Sequence, residues 1–181
     1  MLSYLVHVVG DIHQPLHSCA LVNNKFPKGD QGGNLFLIKV YNDNLNLYNQ
    51  LHKLWDSGLS KLPSDAKLPL SKEDYKTLKE TAFSYINEFP ETELTELTKN
   101  TTPESWILES WSACKDVVYK NIRYGSIIRD NYLSKGYTLA RKRIVLAGYR
   151  LSKLLKSSFS KYLEKKNDEK IINNFSYIEG R

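Results

Sequence analysis

All four histidines of this 181-residue chain, His7, His13, His17 and His52, fall within its first 52 residues. Two of them are followed four positions later by aspartate, His7 by Asp11 and His52 by Asp56. On an α-helix an i,i+4 pair shares one face about one turn apart, so an imidazole and a carboxylate placed this way can reach a single cation. His17 comes just after Pro15, where the chain must leave a helix but cannot travel far. Neutral imidazole nitrogen and carboxylate oxygen are donors that zinc accepts, with no thiolate required. One His-x-x-x-Asp alone is more often a salt link or a cap. Two of them with His17 in a window of about fifty residues make a metal centre the sharper reading.

The elements that must position these donors are mostly helical. Leu2 to Asp11 reads as an apolar helix running into the breaker Pro15, and Leu47, Leu51, Leu54 and Trp55 return to helical period between Leu47 and Leu59. Between them, Asn23 to Gly33 is turn-rich. Leu35 to Tyr41 is the one convincing strand-like run, with Asn42-Asp43-Asn44 as a hairpin turn. Beyond the Pro63 to Pro69 linker, Ser71 caps a helix with Tyr75, Leu78, Ala82, Phe83 and Ile86 on one side, ended by Phe89-Pro90. Thr102-Pro103-Glu104-Ser105 starts another, through Trp106, Leu108, Trp111 and Val118. A long helix is expected over about Tyr132 to Leu155, followed by a polar tail. No internal repeats occur. The fold class expected is all-α: a single multi-helix domain with one short β-hairpin near residues 34–48.

Composition narrows the classes further. With 41% hydrophobic and 25% charged residues the chain can bury a core, and its mean hydropathy of −0.47 and lack of a long apolar run speak against a membrane span. Two cysteines are too few for a disulfide-framed miniprotein. The net charge of +6 is unevenly spread. Residues 1–60 carry four basic and four acidic groups, residues 61–119 seven against eleven, and residues 120–181 fifteen against five. Such a basic C-terminal third suits a polyanion, and solvated lysines on helix faces explain it equally well. Two sequons start at Asn100 and Asn174, and no signal peptide is visible. The last four residues, Ile178-Glu179-Gly180-Arg181, match a protease-recognition tag and are set apart from the fold.

The residues around the donors are not arbitrary. His7-Val8-Val9-Gly10-Asp11-Ile12-His13-Gln14-Pro15-Leu16-His17, then Gly32-Gly33-Asn34, then Leu51-His52-Lys53-Leu54-Trp55-Asp56 resemble the zinc-dependent, single-strand-specific nucleases of the S1/P1 type. The string from Gly10 to His17 is highly specific to that family. Trp106-Ile107-Leu108-Glu109-Ser110 and Ala147-Gly148-Tyr149-Arg150-Leu151 look like its later helices. The likeness covers about residues 1–155, so the domain is placed at 1–160 and the polar tail at 161–181.

Carried over position by position, the resemblance implies that His7 and Asp11 are ligands of a first zinc, with Asp11 also bridging to a third. It implies that His17, His52 and Asp56 hold a second. His13 has no ligand role and is expected to be structural. Asn34 falls in a loop on the substrate side, although an Asn after two glycines is also an ordinary turn residue. The family's N-terminal amino group, an early histidine, an upstream Asp, His and Arg, and a base-stacking aromatic find no counterpart before His7. The chain therefore resembles an N-terminally truncated member with one zinc site of three complete, and weak or absent activity is expected of it.

The activity implied is hydrolysis of single-stranded DNA or RNA to 5′-phosphorylated products, together with 3′-nucleotidase action, in a secreted, lumenal or vacuolar protein. No protein partner and no membrane insertion are expected. A zinc phospholipase C-like hydrolase and a non-catalytic remnant that binds one metal or polyanions are the alternatives. Trp55, Trp106 and Trp111 are expected in the core. Arg141-Lys142-Arg143 is read as an exposed helix face ahead of a phosphate contact. Cys114 resembles a family position whose disulfide partner lies upstream, so Cys114 and Cys19 stand as free thiols whose meeting is left open.

Overall fold

The computed structural model describes residues 2–42, 45–46, 48–62 and 67–176. Helix α1, Leu2–Asp11, gives way to a short 3-10 turn, Pro15–Ser18, because proline cannot supply the N–H that would continue the α-helix. The Gln14 side chain caps this turn by accepting from the Leu16 N–H. Helix α2, Leu51–Asp56, follows the sheet segment. Helix α3, Lys72–Glu88, starts where the Ser71 hydroxyl accepts from the Asp74 N–H. A single-turn helix α4, Glu96–Lys99, precedes α5, Pro103–Ala113, which Thr102 and Ser105 cap reciprocally with proline in the first turn. A π turn at Cys114–Val118 leads on to the last helix, α6, Asp130–Ser176. The helix expected over Tyr132 to Leu155 is thus longer at both ends and runs into the polar tail.

The expected hairpin is present as β1, Lys39–Asn42, paired antiparallel with β2, Leu45–Asn46. Its turn at Asp43 and Asn44 lies outside the described residues, as does Leu47. The strand-like run keeps its alternation into β1, with Phe36, Ile38 and Val40 buried and Leu35 and Leu37 exposed before the strand begins at Lys39. Only Leu37 there makes a bridge, to Gln50. A third strand, β3 at Ile127–Ile128, joins β1 in parallel and gives the order β2-β1-β3. Two residues carry too little periodicity to announce themselves in a sequence.

The main core gathers Leu16, Phe36, Ile38, Leu51, Leu54, Trp55, Leu59 and Val118 around α2, and Trp55 donates from its indole to the Tyr132 hydroxyl of α6. A smaller core of Tyr85, Leu94, Val145 and Leu146 fastens α3 and the α4 region to α6. One expectation fails here. Trp111 is 53% exposed, whereas Trp106 is buried. Helix α5 turns Trp106 and Ser110, one turn apart, inward, and Trp111 lies about 100° round from Ser110. On α3 the apolar side carrying Tyr75, Leu78, Phe83 and Ile86 is exposed, and Tyr85 is the residue it buries.

Cys19 and Cys114 form a disulfide, so the partner of Cys114 lies within the chain and neither is a free thiol. The bond ties the segment after the 3-10 turn to the end of α5 across 95 residues of sequence. Closing so long a loop restricts the unfolded chain, and reduction is expected to lower stability by about 2–4 kcal/mol. Urea unfolding followed by circular dichroism with and without reductant measures this, and an unchanged midpoint would contradict it.

Candidate metal centre

The end of α1, the 3-10 turn and α2 bring five donors into one chain of contacts. His7 Nε2 lies 4.0 Å from Asp11 Oδ2, and Asp11 Oδ1 accepts from His17 Nδ1 at 2.8 Å. On the far edge of the same ring, His17 Nε2 is 3.2 Å from Asp56 Oδ1, and His52 Nε2 is 3.2 Å from Asp56 Oδ2. The His17 and His52 rings stack with centroids 5.0 Å apart. Donor atoms of His17, His52 and Asp56 all lie within 4.8 Å of one another and could hold a metal ion.

The hydrogen bonds assign the ring nitrogens. His52 Nδ1 donates to the Gly32 carbonyl at 2.6 Å, and His17 Nδ1 donates to Asp11, so in each neutral ring the lone pair sits on Nε2. With both rings neutral in this tautomer, two lone pairs face the Asp56 carboxylate, which can only accept and takes one bond, from Gln14 Nε2 at 2.9 Å. Two imidazole acceptors beside a carboxylate repel it unless a cation or protons sit among them, and an N₂O donor set is what zinc takes.

Two further residues hold this arrangement that sequence reasoning did not single out. Gln14 donates from its amide to Asp56 Oδ1 at 2.9 Å while its oxygen caps the 3-10 turn, so one side chain sets α2 against the turn. Gly32 has φ +61°, and a Cβ there would stand 2.5 Å from the Leu16 carbonyl oxygen. Only glycine fits the approach that presents its carbonyl to His52. At Gly33, with φ +85°, a Cβ would stand 3.2 Å from the His52 backbone nitrogen, a closer approach than most side chains tolerate. The next residue, Asn34, donates from its side chain to the Gln31 carbonyl and makes no bond to the five donors, as a turn residue does.

His13, beside these donors, points the other way. It is buried, donates from Nδ1 to the Val9 carbonyl at 2.7 Å and receives Arg150 Nη1 on Nε2 at 2.8 Å. Arg150 is also paired with Glu109, as is Arg143, which donates from Nε to the His13 carbonyl. Burial works to raise the Glu109 pKa, and the bonds from Arg150, Asn100 and Arg143 outweigh it, leaving the group below the usual carboxylate range. The Arg141-Lys142-Arg143 run is accordingly neither an exposed face nor free for phosphate. Arg141 pairs with Glu88, Lys142 with Glu96, and Arg143 is 5% exposed beside Glu109.

Comparison with known proteins gives a consistent picture. The family model for S1/P1 Nuclease matches residues 1–160. The chain is similar to Endonuclease 4 of Arabidopsis thaliana, 30% identical over 163 residues, covering 88% of this chain and 50% of that protein. Endonuclease 3 of the same plant is 29% identical over 161 residues, with 88% and 51% covered. The chain spans about half the length of the curated relatives it matches.

Burial first, and then the charge of Arg143, push the His13 pKa down from 6.5 to about 4. An unfolded His13 takes up its proton near pH 6.5, while the folded one does so only near 4. The unfolded state thus binds more protons between these values, and stability is full above pH 6.5 and falls as pH drops toward 4, by up to about 3 kcal/mol. NMR titration of the His13 ring checks this directly. A ring that titrates near 6.5 in the folded protein would contradict the assignment.

Proposed function

Because the chain belongs to the S1/P1 nuclease family, we propose that it is the part of a zinc-dependent endonuclease that carries one complete metal site, acting on phosphodiester bonds of single-stranded nucleic acid. The observation that carries this reading is the convergence of two imidazole lone pairs and an acceptor-only carboxylate at His17, His52 and Asp56. These three residues would hold the zinc, matching the three protein ligands of a catalytic site that keeps a position open. A bound zinc supplies a Lewis acid for a phosphate oxygen and lowers the pKa of water toward neutrality.

The chain's own residues do the rest of the positioning. Gln14 and Gly32 fix Asp56 and the His52 ring, and Asp11 fixes His17 through Nδ1 while its second oxygen faces His7. His7 and Asp11 are the pair toward a neighbouring ion, and Asp11 and Asp56 are close to half exposed, so the diester approaches from that side. Where the phosphate must meet these donors, a flexible single strand supplies it more readily than a stacked duplex, whose bases must first be unpaired at a cost of a few kcal/mol. The 3′-nucleotidase reaction needs the same phosphate-side chemistry on a terminal monoester. The Cys19–Cys114 disulfide supports a secretory or lumenal location, because such bonds persist in oxidising compartments. No helix among the described residues is long and apolar enough to cross a membrane. Residues 1–160 form the partial domain, with 161–181 beyond it.

Zinc titration against a chromophoric chelator, run beside hydrolysis of single-stranded DNA, tests the proposal. About one tightly held zinc per chain is expected. His52→Ala or Asp56→Ala should weaken it by more than the ~10–100-fold that outer-sphere changes cost. Any hydrolysis should vanish with chelator and exceed that of duplex DNA. Unchanged zinc affinity in both variants would refute the site.

A further inference from the structure

Asp11 and His17 stand on opposite sides of a turn whose outer carbonyls find their strongest partners on other helices. The Ile12 carbonyl accepts from the Ser110 hydroxyl of α5 at 2.6 Å, and the His13 carbonyl accepts from Arg143 Nε of α6 at 3.1 Å. The same guanidinium donates from Nη2 to the Ser110 hydroxyl and to the Trp106 carbonyl at 3.1 Å, and from Nη1 to Glu109. Arg150 grips the other oxygen of Glu109 at 2.6 Å and the His13 ring at 2.8 Å. Each of these groups is buried or nearly so, and none bonds to His7, His17, His52 or Asp56.

Building on the metal-centre reading, we infer that Arg143 is a positioning residue for the zinc site, with Glu109, Arg150 and Ser110 holding its fork in place. One planar group reaches the His13 carbonyl directly and the Ile12 carbonyl through Ser110, so it sets where the chain goes between the end of α1 and the 3-10 turn. That path determines whether Asp11 Oδ1 meets His17 Nδ1 at 2.8 Å and leaves His17 Nε2 aimed at Asp56. A lysine keeps the charge but offers no fixed fork, so it cannot satisfy both carbonyl contacts and the carboxylate together. The motif strings Trp106–Ser110 and Ala147–Leu151 supply Glu109, Ser110 and Arg150, and Arg143 comes from the basic run just before the second string, all of them more than 90 positions after Asp11 and His17.

Arg143→Lys and Ser110→Ala test the inference, with Val145→Ala as a control that loosens the second core away from the turn. Zinc or cobalt affinity of the full chain is measured at a temperature where circular dichroism shows every variant folded. The imidazole tautomer of His17 is read by nitrogen NMR in the metal-free protein. Arg143→Lys is expected to weaken metal binding about 10–100-fold, to change the cobalt absorption spectrum, and to erode the Nδ1–H form of His17. Ser110→Ala should do the same to a smaller degree, and Val145→Ala should do neither at equal loss of thermal stability. Metal affinity and tautomer as in wild type for Arg143→Lys, with only the unfolding temperature reduced, would overturn the inference. If the unaltered chain takes up no metal, the zinc reading itself fails, and the tautomer alone decides the positioning role: its loss supports it and its retention ends it.

Discussion

A guanidinium taken out of water stays charged only where carboxylate and carbonyl oxygens surround it, and α6 buries two of them. Both Arg143 and Arg150 meet that demand on Glu109, from α5. Buried ion pairs of this kind add little net stability, because desolvation offsets attraction, but a lone survivor is costly. Their effect is to define a geometry. With Glu109 between them the two helices can sit in few relative positions, and one donor of each arginine reaches the turn that follows α1, Arg143 Nε at the His13 carbonyl and Arg150 Nη1 at the His13 ring. The site at the other end of that turn inherits its shape from charges that never touch it.

From the turn the constraint passes outward by single hydrogen bonds. Gln14 carries it to Asp56, and the left-handed Gly32 carries it to His52, so each of these two donors is oriented by an atom from a different segment. The outcome, with both rings neutral, is two imidazole lone pairs facing a carboxylate that takes a hydrogen bond only from Gln14 behind it. In electrostatic terms this is a frustrated arrangement for the protein alone and a satisfied one around a divalent cation. The basic C-terminal third has a matching explanation. Arg141, Lys142, Arg143 and Arg150 are bound to Glu88, Glu96 and Glu109, acidic residues of the middle third, so part of the charge asymmetry between the two thirds is internal to the fold.

The five donors stood out in the sequence because i,i+4 spacing and a proline-ended helix are local facts, and the structure sets His7 by Asp11, Asp11 by His17, and Asp56 by both His17 and His52. Helix starts at Ser71 and Thr102 and the alternation of Phe36, Ile38 and Val40 were equally local. What could not be read was direction. Trp111 and Arg143 belong to helical patterns in which either face could turn inward, and the choice was made by Ser110 and Glu109, which stood in a motif string with no role of their own. The Cys19–Cys114 bond and β3 depend on contacts between positions some 90 residues apart, where no periodicity carries information. Gln14 lay inside the most distinctive motif, yet its task became visible only once Asp56 stood beside it.

Anomalous diffraction at the zinc edge from crystals of the zinc-loaded chain tests the central claim most directly. The account requires a peak about 2.0–2.2 Å from Nε2 of His17, Nε2 of His52 and an oxygen of Asp56, with Gln14 and Gly32 still bonded behind them. A fully loaded crystal whose zinc is ligated elsewhere, or whose His17 and His52 rings turn their Nδ1 atoms to the metal, would contradict it.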